Sequence, residues 1–584
     1  MITQDVATSQ GVPEPGRRLS RWQLAVIGAV VALAAAIGLV LGFTLVGPRS
    51  GTLGAAASYL PADTVIYGEV RLDLSPAQAG SLRSILERFP AADADLVPLD
   101  AIADAMDQGL ATTGSSLTYA KDVEPWFDGR LAFAALDYPM GGTLDVANAK
   151  LPSMAALLGV KNAAAATAFG DALRDLGNQS NVTLTSSQHA GVTIWSTADS
   201  DTNSSFAYAV TADELLVANG RSTIEKLLDA HAGGQSLASR QELGELVSHL
   251  PADWVGFLAL DARQMVAELK TELQQSDPSV AALLDPYIAN IPAFAVTTLS
   301  LQADALAFDG ASTMPGGNLA PANNRRDLAA QVPADTLFFA DGSRIGTGLA
   351  QAITGIKAGV AAQTDGSQAI AQLKQVEAAM GADLEDFVSW IGDGALAVGA
   401  NSGTAYGGLV LEADDVDAAT KRLGQLRSLV ELGAQQSGQE VSITTEKVQG
   451  VDVTTIRAAT GMSGDVGPVV PDVIVQYAVK DGTVLIGFGD QFVARSLGLA
   501  EGDSLAQSAR FKAAVARFGG DDNAGVAFMD LAGVRQAVEQ AAGTMLPAEY
   551  GAQIKPNLEP FDYLISVTRV EGNVVVSRGG VVLH

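Results

Sequence analysis

Residues 24–46 constrain this chain more than any other feature. They contain no charged side chain, and Thr44 carries their only strong hydrogen-bonding group. A helix of this length is about 34 Å long, which is enough to cross a hydrocarbon core of roughly 30 Å. The sequence therefore predicts a transmembrane helix at residues 24–46, with the lipid bilayer as its partner.

The charges that flank this segment predict its orientation. Arg17, Arg18 and Arg21 precede it, whereas only Arg49 follows closely. Because positive charge stays on the cytoplasmic side, we expect residues 1–23 to form a cytoplasmic tail and the remainder of the chain to be extracytoplasmic. The predicted location is the cell membrane, crossed once.

Two alternatives to a retained anchor remain open. Residues 55–57 are three alanines that a signal peptidase could cleave, but the apolar segment exceeds the 7 to 15 residues of an ordinary signal core. A buried core helix is disfavoured by the sequence Gly-Pro-Arg-Ser-Gly at residues 47–51, which is typical of a linker and opens the predicted linker 47–56.

Gly38 and Gly42 lie four residues apart within the apolar segment. Small residues at this spacing let two membrane helices approach closely, so the pair predicts a possible homodimer contact. The alternative is that glycine is simply frequent in membrane helices.

Composition excludes several classes of function. The chain has no cysteine, so it has no disulfide, no iron–sulfur cluster and no thiolate zinc site. Its net charge of −29 argues against nucleic acid as a partner. At 48% hydrophobic residues the chain can bury enough apolar area to be stable without cross-links.

Recurring segments predict an internal duplication. Four segments share a turn followed by an apolar strand and an aspartate; they begin at Leu60, Leu250, Val332 and Asp521. Tyr208-Ala-Val recurs as Tyr477-Ala-Val at a similar offset. Collinear markers at nearly constant spacing are typical of a tandem repeat. We expect repeat 1 at 57–313, a turn-rich linker at 314–328 and repeat 2 at 329–584.

Local patterns predict mixed helices and strands in each repeat. Ser75-Pro76 is an N-cap followed by a first-turn proline, and Lys480-Asp481-Gly482-Thr483 is a strong hairpin signal. Asp261 with Gln264 predicts the start of another helix. Short turns between successive strands imply antiparallel pairing. The predicted fold is α+β: two duplicated domains, each a largely antiparallel sheet with helices on one face.

No catalytic motif is found in the sequence. The four histidines lack metal-ligand spacing, and neither a Gly-x-Ser-x-Gly elbow nor a Walker A loop occurs. We therefore predict no enzyme activity and no cofactor. Aromatic residues, Trp195 among them, sit between apolar neighbours and are interpreted as core.

The strand-end aspartates are the best candidate constellation. Asp73, Asp261, Asp341 and Asp530 would occupy equivalent places if the repeats share a fold, and convergent carboxylates could bind calcium. The simpler interpretation is that each caps a helix or a turn. A denser group, Glu412, Asp414, Asp415 and Asp417, lacks the calcium-loop spacing and suits a first helical turn.

The stretch from Ala57 to Leu74, with Leu-Pro-Ala-Asp-Thr at residues 60–64, resembles the opening of a bacterial family called domain of unknown function 3352. The resemblance implies a short cytoplasmic tail, one membrane helix and a long extracytoplasmic region, and it covers most of the chain from about residue 54. It implies no activity, cofactor or catalytic residue.

Three functional hypotheses follow from these observations. The first is a non-enzymatic binding or scaffolding module of the bacterial envelope, whose partner is an envelope protein. The second is a carrier that holds a lipid or other apolar ligand between sheet and helices. The third is an envelope hydrolase that uses carboxylates or a metal. A large apolar cavity would favour the carrier, and convergent carboxylates with raised pKa values would favour the hydrolase.

Overall fold

A computed structural model describes most of the chain beyond the apolar segment. The described residues are 53–92, 103–104, 106–108, 116–137, 152–179, 182–197, 206–276, 291–316, 320–325, 327–361, 366–401, 404–437, 440–458, 473–547 and 549–584. None of the helices in these ranges has the length and apolarity needed to span a membrane. The predicted anchor at 24–46, with Gly38 and Gly42, lies outside the described residues, as does the tail 1–23.

Twenty strands form the framework of the described part of the chain. The first ten are β1 (Ile66–Arg71), β2 (Phe127–Ala135), β3 (Met154–Val160), β4 (Leu184–His189), β5 (Val192–Thr197), β6 (Ala207–Val210), β7 (Glu214–Ala218), β8 (Gly256–Leu260), β9 (Ala295–Gln302) and β10 (Ala305–Thr313). The second ten are β11 (Thr336–Gly342), β12 (Ile391–Asn401), β13 (Thr404–Ala413), β14 (Val441–Val448), β15 (Val451–Ala458), β16 (Val473–Lys480), β17 (Thr483–Phe488), β18 (Gly525–Asp530), β19 (Phe561–Glu571) and β20 (Val574–Leu583).

These strands join into one continuous antiparallel sheet. Across the first half the order is β4-β5-β6-β7-β3-β2-β1-β8-β9-β10. Across the second half it is β14-β15-β16-β17-β13-β12-β11-β18-β19-β20, the same order in strands numbered ten higher. Pairing of β10 with β20 connects the halves edge to edge.

Thirteen α-helices lie along the described chain. Those of the first half are α1 (Pro76–Leu86), α2 (Ala163–Gln179), α3 (Arg221–Gly233), α4 (Gln241–Val247) and α5 (Ala262–Ser276). Those of the second half are α6 (Ile345–Ala361), α7 (Gly366–Met380), α8 (Leu384–Phe387), α9 (Val416–Ser437), α10 (Phe492–Leu497), α11 (Ala509–Phe518), α12 (Leu531–Ala542) and α13 (Lys555–Leu558).

Helices cover both faces of the sheet. On the first face, α3 and α4 bury Ile224 and Leu246 in one core, and α10 and α11 bury Phe492 and Phe511 in another. On the second face, α1, α2 and α9 contribute to three further cores. Successive strand residues such as Leu157 and Leu158 are buried in different cores, because their side chains point to opposite faces.

The mixed fold with a large antiparallel sheet is therefore confirmed, but two details of the prediction are wrong. Helices occupy both faces instead of one, because strands such as β7 are apolar on both sides. The two predicted sheets are also one sheet, since β10 and β20 pair along nine positions from Ala305–Val582 to Thr313–Val574.

Three short sequence patterns are found at the helix starts and the hairpin turn that they predict. The Ser75 hydroxyl accepts a hydrogen bond from the Gln78 backbone N–H and Pro76 opens α1. Asp481 and Gly482 both have positive φ in the β16–β17 turn, as a two-residue hairpin loop requires. Asp261 accepts from the Gln264 N–H at the start of α5.

Candidate functional site

An open cleft of about 390 Å3 lies on the second face of the first half, between α2 and strands β5 and β6. Helix α2 presents a stripe at helical spacing, and the strands present alternate residues on the facing side. The residues that line the cleft are Ala163, Thr167, Asp171, Gly191, Val192, Thr193, Trp195, Tyr208, Val210, Thr211 and Ala212. This volume is at the lower end for small-molecule sites.

Two aromatic side chains on the strands form part of the wall of the cleft. Trp195 and Tyr208 are directly opposite each other in the β5–β6 pairing. The Arg174 guanidinium lies over the Trp195 ring at 4.3 Å and forms an ion pair of 2.8 Å with Asp171. This chain of contacts fixes Trp195 in position and leaves Asp171 partly exposed at the cleft.

Two hydroxyl groups of the lining already donate hydrogen bonds to backbone carbonyl groups of α2. The Tyr208 hydroxyl donates to the Gly170 carbonyl at 2.7 Å, and the Thr167 hydroxyl donates to the Ala163 carbonyl at 2.8 Å. Burial raises the pKa of Tyr208 to about 12, with Asp171 adding to the effect and Arg174 opposing it. These two oxygens and the Asp171 carboxylate can therefore only accept further hydrogen bonds.

The turn at one end of the cleft is held by Tyr59. The Tyr59 hydroxyl contacts Thr211 at 3.0 Å and donates to Asp213 at 2.5 Å. Burial and the hydrogen bond to Asp213 raise the pKa of Tyr59 far above its ordinary value, so it remains a donor. The His231 ring stacks on the face of the Tyr59 ring, with the two centroids 3.8 Å apart.

The second half keeps the scaffold of the cleft but not its lining. Asn162 caps α2 through the Ala165 N–H, and Asp415 caps α9 through the Ala418 N–H, which sets the correspondence of the two helices. Thr420 then matches Thr167, and it donates to the Val416 carbonyl in the same way. Tyr477 is opposite Thr454 where Tyr208 is opposite Trp195, and Gly424 takes the place of Asp171.

A cluster of buried charges lies beneath the first described residues, on the first face. Glu69 is 1% exposed. Its carboxylate accepts hydrogen bonds from the Tyr67 hydroxyl, the Gly54 backbone N–H at 3.1 Å and the Arg71 Nε at 3.2 Å. Arg71 also lies over the Trp254 ring at 3.6 Å. Burial and the nearby Glu69 charge raise the pKa of Tyr67 well above its ordinary value.

The same cluster continues onto the neighbouring strands. Arg130 is opposite Arg71 in the β1–β2 pairing, and it contacts Asp128 at 2.7 Å and Glu214 at 3.2 Å. Burial raises the pKa of Glu214 to about 8, with Arg130 opposing the shift and Asp128 reinforcing it. Arg130 thus links β2 to β7 through Glu214, and the charge of Glu69 on β1 helps to raise the pKa of Arg130.

The candidate aspartates do not converge in the structure. Asp261 and Asp530 cap α5 and α12, accepting from the Gln264 and Gly533 N–H groups, and they pair with Arg240 and Arg510. Asp341 accepts from the Val526 N–H within the sheet. Asp73 and Asp261 are at opposite ends of the β1–β8 pairing. The described residues contain no group of three or more potential metal ligands placed to hold an ion.

Within the denser acidic group, one carboxylate has a defined role. Asp415 accepts from the Ala418 N–H at 2.9 Å and so caps α9. We expect Asp415→Ala to lower the free energy of unfolding by about 1 kcal/mol, because it leaves a helix N–H without its partner. Urea unfolding would measure the change. Asp417→Ala is the control, since its loss removes only a helix-dipole interaction; equal effects of the two substitutions would contradict the assignment.

Sequence reasoning missed the two features that define this region. Trp195 was interpreted as core; it does pack against the core of the second face, but it is only partly buried and also lines the cleft. The available signal was the alternation Val192-Thr-Ile-Trp195, in which Ile194 points to the core and Thr193 and Trp195 to the other side. The charge cluster could have been found from the period-two pattern Tyr67, Glu69 and Arg71 within a buried strand.

The fold and the cleft define a mixed helix–strand protein built on one large antiparallel sheet, with a ligand-sized groove on the second face of its first half. The chain belongs to the family described as Protein of unknown function (DUF3352), whose family model matches residues 25–568. The resemblance of the Leu60 segment to this family is thereby confirmed. No curated protein and no solved structure matches the chain.

Proposed function

We propose that this chain is a single-pass, membrane-anchored protein of the bacterial cell envelope, with two duplicated halves outside the membrane. Support comes from the apolar length of residues 24–46 and the arginines that precede them. The family match begins at residue 25, so it includes this segment. The repeated strand order supports the duplication.

Within that plan, we propose a non-enzymatic binding module whose ligand occupies the cleft between α2 and β5–β6. The observation that carries the proposal is the hydrogen-bonding state of the lining. Thr167 and Tyr208 have donated their protons to backbone carbonyls, and Asp171 is a carboxylate, so all three present lone pairs. A ligand that complements them must supply hydrogen-bond donors.

Charge and size narrow the class of ligand. The chain carries a net charge of −29, and Asp171 is at the cleft, so an anionic ligand would be repelled. An aromatic wall and hydroxyl-bearing threonines suit a compact ring that carries hydroxyl or ammonium groups. A neutral or cationic sugar residue fits these requirements within about 390 Å3.

Three sugars of similar size and different charge test this proposal: neutral glucose, cationic glucosamine, in which an ammonium group replaces one ring hydroxyl, and anionic glucuronate, in which a carboxylate replaces the exocyclic hydroxymethyl group. Binding is measured with the full-length protein by saturation-transfer NMR and by tryptophan fluorescence. We expect glucosamine to bind at least threefold more tightly than glucose, and glucuronate to bind most weakly, because Asp171 discriminates by charge.

Substitutions of cleft residues test whether the measured sugar binding takes place in the cleft. Asp171→Asn should remove the advantage of glucosamine over glucose, and Thr167→Val should weaken both, because each takes away part of the acceptor set. Thr420→Val, at the matching position of the second half, is the control and should change nothing. Failure of all three sugars to bind at millimolar concentration, or equal effects of Thr167→Val and Thr420→Val, would reject the cleft as the site.

An apolar strip favours the carrier as a second candidate. On the second face of the second half, Val398 and Phe488 flank Gly407 in adjacent strands, and Val473 lies at the start of the next strand. Phe488 is 54% and Val473 is 55% exposed. Apolar side chains exposed together are typical of a surface that binds an apolar ligand. A lipid that co-purifies stoichiometrically, and is lost in Phe488→Ser, would favour the carrier over the sugar-binding module.

The hydrolase hypothesis has weaker support. Glu214 is the carboxyl group whose pKa is raised to about 8, which is a property of many general acids. Glu214 is 1% exposed, however, and it is paired with Arg130 beneath the sheet instead of facing the cleft. A substrate would have no contact with this carboxyl group, so its geometry favours a structural role.

A further inference from the structure

The register of the β10–β20 pairing is the one expected if a two-fold axis relates the two halves. The capping aspartates Asp261 and Asp530 place equivalent residues of this region 269 positions apart. By that correspondence Ala305 matches Val574 and Thr313 matches Val582. The observed pairs are Ala305 with Val582 and Thr313 with Val574, so exchange of the two halves reproduces the pairing. This is the geometry of a symmetric dimer interface.

Each half contributes equivalent residues to the core of the other. Val574 and Val576 of β20 belong to the first-half core, which also contains Tyr59 and Leu157. Ala305 of β10, the counterpart of Val574, belongs to the second-half core with Phe339. Pairing of β10 with β20 therefore completes both cores.

Polar contacts between the halves are placed similarly at the two ends of the β10–β20 interface. At the end of α11, Arg517 contacts Asp304 at 2.8 Å and Gln302 at 2.5 Å, in the β9–β10 hairpin of the first half. Just after α4, His249 contacts Glu571 at 3.1 Å, in the β19–β20 hairpin of the second half. Each half thus uses a cationic or imidazole side chain at a helix end to hold the hairpin of the other.

The symmetry is broken at its centre. Asp309 and Arg578 are directly opposite each other in the strand register, and they are also equivalent residues; Arg578 contacts Glu571 of its own half at 3.6 Å. Pairing of two first halves would place one Asp309 against another, and pairing of two second halves would place one Arg578 against another. Like charges directly opposite in adjacent strands are destabilising, whereas opposite charges are favourable.

From this register we propose that the two halves are mutual binding partners. The β10–β20 interface joins them without help from the connecting segment, and the Asp309–Arg578 pair selects the unlike half over a second copy of the same half. The interface is independent of any ligand in the cleft, so a failed sugar-binding experiment would leave this proposal unaffected.

A protease site placed at residues 317–319 of the full-length chain tests whether the two halves stay together without the connecting segment. Residues 320–325 stay with the second half, to which Asn323 is bonded through both backbone groups of Val570. After cleavage, size-exclusion chromatography and native mass spectrometry should show the two fragments as a 1:1 complex at low micromolar concentration. Fragments that separate at once while circular dichroism shows both to be folded would overturn the proposal.

Exchange of the charges at Asp309 and Arg578 tests whether this pair selects the unlike half. In the cleaved protein, Asp309→Arg and Arg578→Asp should each raise the dissociation constant of the fragments at least tenfold, because each creates a like-charge pair. The double variant D309R/R578D should return to within threefold of the unmodified protein. Arg83→Asp, an exposed charge on α1, is the control and should have no effect. A double variant as weak as either single variant would show that the charges only support local structure and would overturn the assignment.

Discussion

Arg71→Met should lower the free energy of unfolding by about 3 to 5 kcal/mol, the range for removal of one partner from a buried ion pair. The Glu69 carboxylate is 1% exposed and would keep only the Tyr67 hydroxyl and the Gly54 N–H as partners. The substitution also removes the cation that lies over Trp254. Methionine is similar in length to the aliphatic part of arginine, so the loss of stability reflects removal of the charge more than a change in volume.

Urea unfolding of the full-length protein, followed by tryptophan fluorescence, measures this effect. Arg83→Met is the matched control, because Arg83 forms an exposed pair with Glu87 within one helix and should contribute only a few tenths of a kcal/mol. The double variant Glu69→Gln with Arg71→Met should be more stable than Arg71→Met alone, since no buried charge is left unpaired. Equal losses for Arg71→Met and Arg83→Met would contradict the ion-pair assignment.

The buried charge cluster lies next to the first described residues of the chain. Gly54 is among the first described residues, and its backbone N–H donates to the buried Glu69 carboxylate. Under the proposed membrane topology, the chain would leave the bilayer a few residues earlier. The cluster would then fix the point at which the tether meets the folded part, and strain on the tether would act on the β1 strand.

Local chemistry explains which parts of the fold could be predicted. The Ser75 cap, the Asp481-Gly482 turn and the Asp261–Gln264 pair each depend on groups within four residues of one another, so the sequence alone specifies them. The four similar segments that begin at Leu60, Leu250, Val332 and Asp521 likewise predicted the duplication from short stretches of sequence. These predictions needed no information about distant contacts.

Long-range pairing explains which parts could not be predicted. Strands β10 and β20 are each ordinary hairpin partners in the sequence, and nothing local indicates that their outer edges pair with each other. Helices were placed on one face because no periodicity reveals which face a helix covers. Only the doubly apolar strands, such as β7, carried that information.

Prediction of the candidate site was limited by the same difference between local and long-range contacts. The aspartates at strand ends were conspicuous in the sequence, but Asp261 and Asp530 serve as caps held by Arg240 and Arg510. Trp195, by contrast, acquires its place in the cleft from the packing of α2, which is separated from β5 by strand β4. A residue's chemistry could be read from the sequence, whereas its exposure depended on which helix packed beside it.

Glu214→Gln should remove a pH dependence of stability that the wild-type protein shows. Burial raises the pKa of Glu214 in the folded chain to about 8, against an ordinary value of 4.5. Between these values the folded state binds a proton that the unfolded state has released, so stability falls as pH rises from about 5 to about 8. The loss is on the order of 4 kcal/mol, because each pKa unit corresponds to about 1.4 kcal/mol.

The glutamine variant keeps a neutral side chain of the same shape at every pH, and Arg130 retains Asp128 as its partner. Its stability should therefore match that of the wild type below about pH 4.5 and exceed it by several kcal/mol at pH 8.5. Urea unfolding at a series of pH values measures the difference, with Glu87→Gln at an exposed pair as the control. Curves for wild type and Glu214→Gln that remain parallel across this range would show that Glu214 is ionised in the folded protein, and that Arg130 compensates fully for its burial.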